Sequence, residues 1–182
     1  MAETKYGKYL LSGPRPWNPP GTGPVIASLN DEIFKGSHQY FVHWVPVTPQ
    51  GLPGVSSWDE MGHGPHKHKS PEAVIHIGTN PDDPLDLGAE VEFFMGPELE
   101  KHVITTSTLV YLPAEFIHGP WVIKKVVRPF VIVTVGQEPT HTEKSCQELV
   151  SEKERDNLLF IDQGYDSEER VIKLAKKMAR EW

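Results

Sequence analysis

Short runs of alternating apolar and polar residues recur through the middle of the chain, each bounded by turn-forming residues. In 39–47, Tyr40, Val42 and Trp44 fall on one face and Phe41, His43 and Val45 on the other, because successive strand side chains point to opposite sides. Both faces are largely apolar, as in a sheet covered on both sides. Residues 72–77 read as a second strand. In 90–95, Glu90 and Glu92 share one face and Val91, Phe93 and Met95 the other. Runs at 102–105, 108–112, 120–127 and 130–135 follow, the last two separated by Arg128-Pro129. Short strands at this rate predict a β-sandwich or barrel. The pattern then changes. Val171, Leu174, Ala175, Met178 and Trp182 recur at helical spacing, behind Asp166 or Ser167 as cap, with Glu168 and Glu169 first and Lys176, Lys177 and Arg180 last. That order complements a helix dipole and predicts an amphipathic helix over 167–181.

The gaps between runs set the organisation. Residues 13–24 are too rich in proline and glycine for helix or central strand, and Trp17 among them needs a surface to cover it. We divide the chain into an N-terminal arm (1–38, extended over its first 30 residues), a β-barrel (39–137) and a C-terminal extension (138–182) ending in the helix. A glycine- and proline-rich loop over 48–64 carries Trp58, a candidate for the mouth of a binding site or for plain packing. Asp82, Asp83 and Asp86 lie around a turn, at a spacing unlike that of a calcium-binding EF-hand loop.

Composition narrows the function classes. At 182 residues, one domain is expected. A net charge of −7 argues against nucleic acid or an acidic membrane as partner. Cys146 is the one cysteine, so no intrachain disulfide forms. The start of the chain does not read as a signal peptide, and no run reaches the roughly 20 apolar residues of a membrane span. The expectation is a soluble cytoplasmic protein.

Candidate chemistry centres on Gly62-His63-Gly64-Pro65-His66-Lys67-His68-Lys69-Ser70-Pro71-Glu72. In an extended strand His66 and His68 aim two imidazoles the same way, while Lys67 and Lys69 face water. Pro71 cannot donate to a sheet ladder, so the chain turns there, and Glu72 can return a carboxylate to the imidazoles. This donor set suits a divalent transition metal. A fourth ligand is offered by His118, five residues after Pro113 at the end of another apolar run.

These residues resemble the two motifs of the cupin superfamily. The first joins His66, His68, Glu72 and Gly78; the second joins Pro113 and His118. The resemblance spans roughly residues 40–137. Glu115 stands where the second motif usually has glycine and Val122 where it has asparagine; Glu60 and Ser107 occupy two further glycine positions. The resemblance implies an all-β fold, the cupin double-stranded β-helix or jelly-roll barrel, here a single barrel with an extended N-terminal arm and a C-terminal α-helix. It places a metal held by His66, His68, Glu72 and His118 inside the barrel.

Three imidazoles and one carboxylate leave two positions open on a six-coordinate ion. Iron is the first choice by resemblance, with manganese, nickel, cobalt or zinc compatible. Such an ion can hold a small oxygen-rich or aromatic molecule by two oxygens. A metal-dependent oxygenase of dioxygenase type is the leading expectation; a metal-dependent isomerase, lyase or decarboxylase, or a non-catalytic small-molecule binder, is the alternative. His76 shares a strand face with Glu72 and is the candidate catalytic or ligand-orienting residue. His63 and His43 are secondary candidates. Trp17 in the arm, Trp182 in the helix and the sheets of single-barrel cupins together predict a homodimer.

Overall fold

The alternating runs become two facing sheets in a computed structural model, which describes residues 5–12, 24–50, 54–174 and 176. The strands are Val25–Leu29 (β1), Gln39–Val45 (β2), Gly62–His63 (β3), His66–Lys67 (β4), Glu72–Gly78 (β5), Asp86–Met95 (β6), Glu100–Thr106 (β7), Thr108–Leu112 (β8), His118–Val126 (β9), Phe130–Gly136 (β10), Lys144–Ser145 (β11), Leu158–Asp162 (β12) and Val171–Lys173 (β13). One sheet has the order β1-β2-β10-β5-β8. The other runs β11-β4-β9-β3-β12-β13, with β6 on the far side of β9 and β7 beyond it. Every pairing is antiparallel except β12 with β3. This is the all-β, double-sheeted barrel that the sequence predicts.

The two-residue period decides what lies between the sheets. Val45 of β2, Val74 and His76 of β5, and Phe130 and Ile132 of β10 point inward from the first sheet. Val91 and Phe93 of β6 and Trp121 and Ile123 of β9 meet them from the second. Removing each large apolar side chain from water is worth about 1.5–3 kcal/mol, so this layer is what clamps the sheets together. Gly78 ends β5 where the start of β6 crosses it: a Cβ there would lie 2.1 Å from the carbonyl oxygen of Asp86. Asp86 itself pairs with Arg128 at 2.7 Å and accepts from Asn80 at 3.1 Å, an exposed polar clasp across the acidic turn.

The segments outside the predicted barrel join it. β1 adds an edge strand beside β2, with Leu29 opposite Tyr40. β11 and β12 extend the second sheet. A single helical turn, Glu152–Arg155 (α1), is held by a capping box between Ser151 and Glu154. The helix expected over 167–181 is corrected in its first part: Val171–Lys173 is strand β13, with Ile172 opposite Ile161, and beyond Leu174 only Lys176 is described, as helical. Val171 and Ile172 are β-branched, which suits the strand they form on the open edge of β12, although their side chains stay exposed there. Leu174 packs against Val55 and Met61. Ala175 and residues 177–182, including Met178 and Trp182, lie outside the described residues, as does Trp17. No described helix is long and apolar enough to cross a membrane.

Candidate metal centre

A cavity of about 130 Å³ opens between the sheets. β4 brings His66 to it, the turn after β4 brings His68, β5 begins with Glu72, and β9 begins with His118, directly opposite His66 in the ladder. All four reach one point: their ligating atoms lie within 4.8 Å of one another. The three imidazoles are buried, at 5% exposure or less for His66 and His118 and 7% for His68.

Each ring is fixed by its outer nitrogen. His66 Nδ1 donates to the Gly64 carbonyl at 2.7 Å, His68 Nδ1 to that of Thr142, and His118 Nδ1 to that of Phe116 at 3.1 Å. A carbonyl can only accept, so each Nδ1 carries the proton and each Nε2 faces the cavity. Such outer hydrogen bonds hold metal-ligating histidines in place. The Nε2 atoms of His68 and His118 are buried without a hydrogen-bond partner, 3.5 and 3.4 Å from Oε2 of Glu72. Those separations exceed an ordinary hydrogen bond. Two ligands about 2.1 Å from one ion stand about 3.0 Å apart at the right angle of six-coordination and about 3.4 Å apart at a tetrahedral angle, so the separations are in the range of ligands to a common ion. The residues therefore fit an ion, and the group could hold one.

The electrostatics agree. Burial drives His66 well below 6.5, helped by His118 and His63. Burial would also lower His68, but the Glu72 carboxylate beside it outweighs this and takes it to about 9. Glu72 is buried, which opposes ionisation, yet His68 and His118 hold it well below its usual range. The metal-free site thus keeps its carboxylate charged and stores a balancing proton on His68.

The turn before His118 explains one departure from the family motif. Glu115 has φ of +62°, the left-handed backbone that glycine adopts without cost. Its N–H donates to the His68 carbonyl at 2.7 Å, tying the second motif to the first. Its carboxylate is held from outside by Lys67 and by the Tyr165 hydroxyl at 3.0 Å. The glycine's conformation survives with a glutamate in it.

Other expectations meet different fates. His76 does not line the cavity. It is fully buried behind Trp121, whose Nε1–H donates to His76 Nε2 at 3.1 Å, and burial pushes it down to about 4 against a weaker opposing pull from the Thr108 backbone. The expectation that it faces the ligand is corrected: Trp121 takes that place, and the neutral His76 orients the indole from behind. Trp58 is packed in the core, its Nε1–H on the Pro46 carbonyl at 2.8 Å, and is not at the mouth. His43 does line the cavity, on the same face of β2 as Gln39 and Phe41.

Three cavity residues carry no weight in the motif reading: His141, Glu143 and Arg170. Glu143 is 1% exposed and joins His63 to His141, Oε1 to His63 Nε2 at 2.7 Å and Oε2 to His141 Nε2 at 3.0 Å. The available signal was His141-Thr142-Glu143, a second pair of ligand-type residues two apart.

No family model and no curated protein sequence matches the chain. Solved structures resemble it distantly. One is an uncharacterised conserved protein with a double-stranded β-helix domain from Klebsiella pneumoniae, 12% identical, covering 80% of this chain and 96% of that one, with a TM-score of 0.42. Another is a putative sugar phosphate isomerase from Acidithiobacillus ferrooxidans, 11% identical, covering 85% and 78%, with a TM-score of 0.42. A third is a cupin-superfamily sugar phosphate isomerase from Silicibacter pomeroyi, 12% identical, covering 82% and 76%, with a TM-score of 0.41. The chain's own two facing sheets, with both motifs meeting inside them, make this a barrel of the cupin type.

Proposed function

We propose that this protein is a metal-dependent enzyme acting on a small molecule held on the metal by two oxygens. The observation that carries the reading is the set of three imidazoles locked by their Nδ1 protons with Nε2 inward, beside the Glu72 carboxylate, inside a cavity. His66, His68, Glu72 and His118 would hold the ion. Bound there, it would supply Lewis acidity to chelated oxygens and, if iron or manganese, electrons for dioxygen. Val74, Phe93, Trp121, Ile132, Leu159 and Ile161 give the cavity an apolar wall, beside a polar one that includes Gln39, His43, Thr134 and Arg170. The apolar wall suits an aromatic or aliphatic body on the substrate and keeps bulk water away from the reacting end. This supports an oxygenase, with iron as the first metal to test. We place the protein in the cytoplasm on its single, buried thiol, Cys146.

A second reading, a metal-dependent isomerase, lyase or decarboxylase, is favoured by the Glu143 cluster, which sets two further imidazoles in the same cavity. Oxygen uptake and carbon-bound deuterium exchange separate the two. Protein loaded with iron, manganese, nickel, cobalt or zinc is given catechols and hydroxy-ketones in deuterium oxide. Oxygen consumption above that of the free ion supports the oxygenase. Deuterium incorporation without oxygen uptake supports the second reading. Neither, with any metal, overturns both and leaves a binding protein.

A further inference from the structure

Glu143 lies in the cavity wall with both carboxylate oxygens occupied by imidazoles. It is rigidly placed: its N–H and C=O both bond to the backbone of Gln163, each at 2.8 Å. His63 comes from β3, which pairs with β9 and β12. The N···O distances of 2.7 and 3.0 Å are those of direct hydrogen bonds. They contrast with the 3.4 and 3.5 Å separations around Glu72, where the atoms surround a common centre. Glu143 is therefore bonded directly to its histidines, at shorter separations than those around Glu72, although the same atoms also lie close enough together to surround an ion.

An ionised carboxylate only accepts, so both Nε2 atoms carry protons. In a neutral ring this leaves Nδ1 as an acceptor. Neither Nδ1 has a protein partner among the described residues, and the two side chains are 21% and 25% exposed where they line the cavity. The acceptors also border the metal ligands. The His63 ring stacks on His66 at 4.1 Å, and the His141 ring stands edge-on to His68 at 5.4 Å.

We propose that His63 and His141, positioned by Glu143, form a hydroxyl-recognition subsite beside the metal ligands. The ligand of this cavity is then a small polyhydroxy compound that gives two oxygens to the metal and donates a further hydroxyl to these rings. This deepens the chelation reading above and rests on it; it does not depend on which reaction follows.

The test compares two probes that differ by one hydroxyl. Lactate and glycerate both chelate through a carboxylate and the adjacent hydroxyl, and glycerate carries one hydroxyl more. Calorimetric titration of nickel-loaded, full-length protein should show glycerate binding roughly 3- to 10-fold more tightly, the worth of one hydrogen bond. Glu143→Gln offers an amide that donates to one ring, moving that ring's proton to Nδ1 and turning the acceptor into a donor. The variant should keep one nickel per chain and its lactate affinity while its preference for glycerate falls, because one of the two acceptors is lost. His141→Leu, at a partly exposed loop position, is the second variant and should reduce the preference without touching metal content. Equal affinity for both probes in the unaltered protein overturns the subsite and leaves the chelation reading standing. Failure of both probes to bind overturns both. A second equivalent of nickel, lost in Glu143→Gln, also overturns the proposal by making the cluster a metal site.

Discussion

His68 makes the metal affinity of this site depend on pH in a window that its ordinary pKa would not give. In the metal-free protein the Glu72 carboxylate, overcoming burial, takes His68 up to about 9. A metal binding through Nε2 must displace that proton. Each pH unit well below about 9 then weakens apparent affinity about tenfold, so binding at pH 7 should be roughly 100-fold weaker than on the plateau above pH 9. His66 is already neutral and Glu72 already charged in this range, so neither adds a competing proton. The assay is competition for nickel against a chromophoric chelator of known protonation, from pH 6.5 to 9.5. The expected result is a slope near one in log affinity against pH, flattening above about 9. Glu72→Gln removes the largest interaction that raises His68 and leaves the Glu143 charge and the Thr142 carbonyl to oppose burial. That variant should bind metal more weakly throughout, and its slope should flatten at a lower pH. A flat profile between pH 7 and 8.5 in the unaltered protein would refute the reasoning.

The same proton stabilises the metal-free fold. Its contribution is fully present below pH 6.5 and is lost as pH rises through about 9. The difference between 6.5 and about 9 corresponds to on the order of 3 kcal/mol. Urea unfolding of chelator-treated protein should therefore show stability falling between pH 7 and 9.5. Metal-saturated protein, in which His68 holds no proton, should lack that fall.

Three further outcomes are expected. His118→Ala should leave the sheets folded by circular dichroism while metal content, measured by elemental analysis, drops well below one per chain; full stoichiometry would show that the second motif has no part in the site. Glu115→Val places a β-branched residue at φ +62° and should cost roughly 1–3 kcal/mol in urea unfolding, whereas Glu115→Gly should be near neutral, strain relief offsetting the lost Lys67 and Tyr165 contacts. We also expect a homodimer through the outer face of the five-stranded sheet, where Tyr40, Ile77, Leu109 and Tyr111 stand exposed; light scattering should give twice 20.5 kDa, Leu109→Glu should return the monomer mass, and a monomer without the substitution refutes it.

What the sequence revealed of this site follows the range over which local geometry acts. His66, His68 and Glu72 lie within seven residues of each other, and a two-residue period with a proline turn suffices to bring them to one side. His118 was found because an apolar run, a proline and a histidine mark the far sheet in the same way. The period failed where faces alone do not settle occupancy. His76 does share an inward face with Glu72, but Trp121, forty-five residues on, fills the space in front of it. The helical reading failed at 171–173 for a related reason: a short run with adjacent β-branched residues also suits a strand, and the open edge of β12 decided between them. The Glu143 cluster was the least accessible, since His63 and Glu143 are eighty residues apart and meet only because β11 and β12 fold back along the second sheet. A buried carboxylate of this kind cannot stand alone in a barrel wall; the cost of its charge requires partners. In the sequence, however, Glu143 stands in the polar run His141-Thr142-Glu143-Lys144-Ser145, so nothing local set it apart from the exposed glutamates that follow, and only the long-range folding of β11 and β12 buries it.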